Sequence, residues 1–162
     1  MRELALQIEE NYNPVWKELD KLAKVGILLN DKRSGQNAFS LNPSCSYLPE
    51  LRSLILKTDG VGSYFLERIS EIGKIKTAFI FGSFAAGEAD SQSDIDLMII
   101  GDVKIEVLSS VISSIEQNLN REINYIIYTE EEWARKKNEK SAFIQNILHA
   151  PKILLIGAED AI

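Results

Sequence analysis

Apolar and polar residues follow two different rhythms along this chain. In the N-terminal third the spacing is helical. Leu4, Ala5 and Ile8 predict a short helix over residues 2–10. Asn13 ahead of Pro14 reads as a cap followed by a first helical position, opening a second helix over residues 14–25. Val15, Leu19, Leu22 and Val25 form its stripe, Trp16, Lys17, Asp20, Lys21 and Lys24 occupy its other faces, and Gly26 ends it. Residues 27–30 and 37–41 read as short strands joined by Asp31-Lys32-Arg33-Ser34-Gly35-Gln36, a hairpin with a charged tip. Two more helices are expected over 48–57 and Val61–Ile72.

The rhythm then changes to compact apolar strands separated by helices. Strands are predicted over 77–81, 94–100, 122–128 and 152–156, the last ending at Gly157. Helices are predicted over 103–119, with Val107, Val111, Ile115 and Leu119 four apart, and over 130–140 and 142–148. Alternating strands and helices imply a small sheet layered with helices, an α/β (α+β) domain. The glycines of Asp59-Gly60-Val61-Gly62 suggest a boundary, giving a first module of residues 1–58 and a second of 59–162.

Composition narrows the function without choosing it. The chain has 162 residues, 45% hydrophobic and 26% charged, which excludes a disordered or low-complexity polymer. Apolar runs such as residues 97–100 stop far short of the roughly 20 residues of a membrane helix, and acids interrupt the first ten residues where a signal peptide would be apolar. No membrane association and a cytoplasmic location are the expectation. The single Cys45 can form no internal disulfide and no cysteine-type zinc site. Charge is uneven: residues 1–57 carry a net +1 and residues 59–162 a net −7. The second module is therefore a poor general surface for phosphate backbones, which need clustered Lys and Arg.

The chemistry concentrates in one segment. Asp94 and Asp96 lie two apart in a predicted strand, so their side chains share a face about 6–7 Å apart. Asp is depleted in strands, and like charges on one face repel. A divalent cation between them removes both penalties; Mg2+, a hard ion that takes carboxylate and phosphate oxygens, is the expected one. Gly82-Ser83 follows another apolar strand and precedes the small-residue segment Phe84-Ala85-Ala86-Gly87. Gly allows close backbone approach, and Ser offers a hydroxyl and an N–H to a phosphate oxygen.

Gly82-Ser83, ten residues, then Asp94-x-Asp96, with apolar strands on both sides, resembles the signature of the polymerase-β-type nucleotidyltransferases, in the spacing of their minimal prokaryotic branch. The likeness covers about residues 74–128 and extends more weakly to 157. It implies that Gly82 and Ser83 hold the triphosphate of a nucleoside triphosphate substrate and that Asp94 and Asp96 bind two Mg2+ ions. An acceptor hydroxyl then attacks the α-phosphate with loss of pyrophosphate. The acceptor could be a small molecule, a nucleic-acid end or a protein side chain, as in family members that act as antitoxins by modifying a HEPN-type toxin. A third carboxylate, usual on a later strand of this family, is replaced here by Asn124, which cannot accept a proton. Glu122, two residues earlier, is the candidate substitute.

The N-terminal pattern resembles a partial winged helix-turn-helix, with 14–25 as recognition helix and 31–36 as wing. That likeness implies Asn13, Trp16, Lys17 and Lys21 facing DNA and Lys32 and Arg33 on phosphates. A complete module needs a helix before residues 2–10, so docking or a homodimer stands beside DNA binding as the role of this segment. Two expectations follow: a Mg2+-dependent nucleotidyltransferase, and alternatively a winged-helix regulator whose nucleotide site is weakened by Asn124. His149, Cys45, Trp16, Trp133, Lys76, Asp90 and the basic run Arg135-Lys136-Lys137 read more simply as caps, packing residues or solvated faces.

Overall fold

The computed structural model describes residues 2–33, 36–58, 61–90, 93–139, 141–158 and 162, with no side-chain description for residues 2, 3, 32, 33 and 36. The chain divides into two compact units, Met1–Arg52 and Ser53–Ile162. That division falls inside helix α3 (Leu48–Thr58) rather than at the glycine-containing seam after it. The reason is packing: Leu56 joins the core of the second unit, and α4 (Val61–Ile72) approaches α3 so closely that a Cβ on Gly62 would lie 2.8 Å from the Lys57 Cα.

The first unit holds α1 (Arg2–Gln7), α2 (Tyr12–Lys24) and the antiparallel hairpin of β1 (Leu28–Arg33) and β2 (Gln36–Leu41). The expected cap of α2 moves. Asn11, not Asn13, is the N-cap, and Pro14 sits two residues into the first turn, where helix N–H groups have no intrahelical partner and its missing donor is not felt. Gly26 closes the helix at φ +82°, as its position implied. Of the expected stripe only Val15 is buried, while Leu22 and Val25 stay exposed.

The second unit is a mixed α+β layer. Its four strands, in the order β5-β4-β3-β6, are β3 (Gly73–Phe81), β4 (Ile95–Val103), β5 (Ile123–Tyr128) and β6 (Ile153–Ile156). β3 runs antiparallel to β4 and β6, and β4 runs parallel to β5. β3 and β4 are longer than the apolar runs that predicted them. Their extra residues pair beyond a register shift between Ile75 and Thr77, where Gly101 stands opposite Ile75 and Gly73 opposite Val103; both glycines have positive φ, and a Cβ on them would run into the carbonyls of Lys74 and Asp102 respectively.

Alternation sorts the strands onto two faces. Ala78, Ile80, Ile95, Leu97, Ile99 and Ile123 pack beneath α4 and α6 (Ile105–Leu119), through Phe65, Leu108, Val111, Ile112 and Ile115. Phe79, Met98 and Ile100 pack on the other face against Trp133 of α7 (Glu130–Asn138) and Ile144 and Ile147 of α8 (Ala142–His149). A short helix, α5 (Gly82–Ala86), turns the chain between β3 and β4. Among the described residues no helix is long and apolar enough to cross a membrane.

Candidate nucleotide site

The sheet delivers the chemistry-bearing residues to one end of its α7/α8 face. β3 ends at Phe81, which pairs with Asp96 of β4, and Asp96 pairs with Asn124 of β5. Paired residues on neighbouring strands point to the same side, so Phe81, Asp96 and Asn124 form a row across three strands. Asp94, one residue before β4, lies exposed on the same side. Asn124 donates from Nδ2 to Asp94 Oδ2 at 3.2 Å. An amide here thus steadies one carboxylate, where a third acid would have repelled it.

Gly82 completes the row. Its φ of +71° lies in the left-handed region, and a Cβ on it would overlap Oδ2 of Asp96. Only glycine brings the turn this close to that carboxylate. The chain then enters α5, whose N-cap is Phe81, so Gly82 and Ser83 occupy the first turn; Ser83 is half-buried and its carbonyl accepts from the N–H groups of Glu88 and Ala89 as the helix closes. Partial burial, and secondarily the charge of Asp94, raises the pKa of Asp96 above the ordinary carboxylate value. The carboxylate is therefore held in a place that disfavours its charge unless a cation is present. Two hard oxygen donors from one strand end, one of them electrostatically under-compensated, fit a divalent ion such as Mg2+.

Sequence reasoning missed the device that sets the loop between these two halves. Arg121 donates from Nη1 to the carbonyls of Ser93 at 2.7 Å and Asp90 at 3.0 Å, and its guanidinium lies 5.2 Å over the Phe84 ring. One side chain thereby ties the residue after Ser83 to the residue before Asp94. Ser93 and Asp90 close the loop locally through Ser93 Oγ, which accepts from the Asp90 N–H and donates to its carboxylate. The Ile95 N–H donates to the Glu122 carbonyl, fixing the entry of β4 beside β5. Nothing in the sequence spacing signals Arg121, because its partners lie about thirty residues away and are backbone groups.

Glu122 lies outside β5, exposed, and is not drawn in with the aspartates: among the described residues no group of three or more His, Cys, Asp or Glu is placed to hold a metal. Glu122 and Asn124 instead border an open cleft of about 580 Å³ between the end of α6 (Glu116, Gln117, Asn120) and the start of β5. Asp94, Asp96 and Gly82 are not part of that cleft's lining. In the first unit Asn13 and Lys17 are exposed on α2 and Trp16 is half-buried, while Lys21 is paired with Glu18 at 2.6 Å. The side chains of Lys32 and Arg33 lie outside the described residues.

The profile of the nucleotidyltransferase domain family matches residues 63–146. A Methanocaldococcus jannaschii protein assigned provisionally as a protein adenylyltransferase is 33% identical over 82 residues, 51% of this chain and 80% of that protein. Among solved structures, a toxin–antitoxin crystal structure with AMP-PNP aligns with 61% of this chain and 75% of its own at 14% identity and a TM-score of 0.43. A tri-AMPylated Shewanella oneidensis HEPN toxin in complex with an MNT antitoxin aligns over 69% and 75% at 11% identity and a TM-score of 0.40.

Proposed function

This chain belongs to the nucleotidyltransferase domain family, and we propose that it transfers an AMP group from ATP to a hydroxyl of a protein side chain in a Mg2+-dependent reaction. The observation that carries this reading is the row Gly82, Asp96, Asn124 with Asp94 alongside: two carboxylates at one strand end, a turn that only glycine fits against one of them, and an amide that orients the other. The adenylyl group and the protein acceptor are supported by the name of the M. jannaschii relative. Among protein acceptors, a HEPN-type protein is the partner class that the resemblance to the antitoxin members of the family suggests.

Asp94 and Asp96 would hold Mg2+, which supplies positive charge where negative charge grows on the α-phosphate and departing pyrophosphate oxygens. Gly82 and Ser83, in the first turn of α5, would hold the triphosphate tail by backbone N–H groups and the serine hydroxyl. Asn124 keeps Asp94 aimed by its amide hydrogen bond. The acceptor oxygen forms its bond to the α-phosphorus as the bond to pyrophosphate breaks, and pyrophosphate leaves with the electron pair. The acceptor's proton cannot go to Asn124, and Glu122 is not drawn in with the aspartates, so the proton passes to water.

Incubation with α-labelled ATP, Mg2+ and acceptor protein tests the reading directly. Asp94→Asn is expected to abolish both label transfer and Mg2+-dependent ATP binding while the far-ultraviolet circular dichroism stays native. Unchanged ATP affinity in that variant would overturn the metal assignment.

An alternative is a regulator that binds DNA through a winged-helix-like first unit and senses nucleotide with the second. The helix, helix, hairpin order and exposed Asn13 and Lys17 favour it; the pairing of Lys21 with Glu18 and of Lys24 with Asp20 takes cationic charge off α2 and disfavours it. Salt-dependent DNA binding lost on Lys17→Ala would mark this role. Exposed Leu6, Ile8, Val25 and Leu41 favour a homodimer through the first unit instead. Either arrangement belongs in the cytoplasm, where nucleoside triphosphates are available.

A further inference from the structure

The face of the sheet that carries Asp96 also carries an aromatic pair that the reaction chemistry leaves unused. Phe81 is the last residue of β3, directly precedes Gly82, and stands opposite Asp96 in the ladder. Phe143, the second residue of α8, meets it edge to face at 6.4 Å between ring centroids and 80° between planes. Phe81, itself half-buried, in turn meets Phe79 at 6.3 Å, so the pair is continuous with the core beneath α7 and α8.

Phe143 does little for that core. Ile144 and Ile147 make the buried contacts of α8, while Phe143 remains 47% exposed. A phenyl ring this open gains only part of its hydrophobic free energy from the fold. Its backing ring adjoins both the turn proposed for the phosphates and the carboxylate proposed for the metal. An apolar, planar surface beside a site for a polyphosphate chain matches the one apolar, planar part of a nucleotide.

We propose that Phe143, braced from behind by Phe81, is the stacking surface for the base of the bound nucleoside triphosphate; this rests on the nucleotidyltransferase reading above. Stacking recognises a π-face and its area rather than a hydrogen-bond pattern. Purine triphosphates therefore bind better than pyrimidine ones, and this contact gives little preference between ATP and GTP.

The test is equilibrium binding by the full chain, with Mg2+, of ATP and of inorganic tripolyphosphate, which has no base. Phe143→Ala is expected to weaken ATP about tenfold and to leave tripolyphosphate unchanged. Phe143→Trp, which keeps an aromatic face, is expected to hold ATP at least as well as the parent chain. Because the ring is largely exposed, both variants are expected to melt within a degree or two of the parent.

Unchanged ATP binding in Phe143→Ala overturns the stacking surface, and so does an equal loss for ATP and tripolyphosphate, since the ring would then act through the phosphate site. In both cases Mg2+-dependent ATP binding that is lost on Asp94→Asn leaves the nucleotidyltransferase reading standing. A parent chain that binds neither ligand overturns that reading and the stacking surface with it.

Discussion

Asp96 is held where its charge is disfavoured, first by partial burial and then by Asp94. The sign of the consequence follows from linkage. The folded chain holds the Asp96 proton to higher pH than the unfolded chain, whose ordinary value is 3.8, so this group's contribution to stability falls as pH rises from 3.8 through the raised value and stays unfavourable above it. Without metal, Asp96→Asn is therefore expected to melt slightly higher than the parent at pH 7, with the difference closing below the carboxylate range. Scanning calorimetry at several pH values checks this. Addition of Mg2+ and ATP should reverse the order, because only the parent gains a ligand that stabilises by mass action. A neutral variant that is both more stable and unable to bind would mark Asp96 as a residue kept for function at a cost to the fold. The residue-scale signal was legible in the sequence for a related reason: two acids two apart in a segment predicted as an apolar strand contradict strand propensity unless something else compensates them, although Asp94 itself lies one residue before β4.

At the scale of elements, legibility depended on whether the determining contacts were local. The glycine–serine turn, the Gly26 stop and most helix positions follow from neighbours in sequence. The row that joins Phe81, Asp96 and Asn124 does not, because it is fixed by strand order and by the parallel register of β4 with β5. Arg121 and Phe143 were invisible for the same reason. α7 is a local case whose cap is written in the sequence as Thr129 three residues before Glu132. Thr129 Oγ1 accepts from the Glu132 N–H at 3.1 Å, and the Thr129 N–H donates to the Glu132 carboxylate at 2.9 Å. The cap aims Trp133 into the core, 5.9 Å from Tyr128 and 6.5 Å from Phe79. Thr129→Ala is expected to cost about 1 kcal/mol in denaturant unfolding at pH 7. The Thr129 N–H is the main cause that lowers the Glu132 pKa below the ordinary 4.5, so its contribution is complete above 4.5 and is lost as pH falls through the lowered value. Glu132→Gln should accordingly trail the parent at pH 7, and the gap should close as the pH falls through the lowered value.

At the scale of the whole molecule, the candidate site draws its residues from one unit of the chain. Gly82, Ser83, Asp94, Asp96, Arg121, Asn124 and Phe143 all lie in the unit Ser53–Ile162, and so do both buried clusters that shape the sheet's two faces. The matched family profile, residues 63–146, falls within the same unit. Leu56 packs into that unit's core, so a cut at the glycine seam after α3 would strip a core residue, whereas a cut before Leu48 keeps α3 whole. A chain of residues 48–162 is thus expected to unfold in one cooperative transition and to bind Mg2+-ATP within about twofold of the full chain, whereas residues 59–162 should be measurably less stable. Calorimetry and equilibrium ATP binding on the three chains check both statements. If 48–162 folds but fails to bind, the first unit contributes to the nucleotide site. If it binds ATP but no longer modifies the acceptor protein, the first unit's task is to recruit that partner. That outcome would give a physical use to its exposed apolar residues Leu6, Ile8, Val25 and Leu41 without calling on DNA.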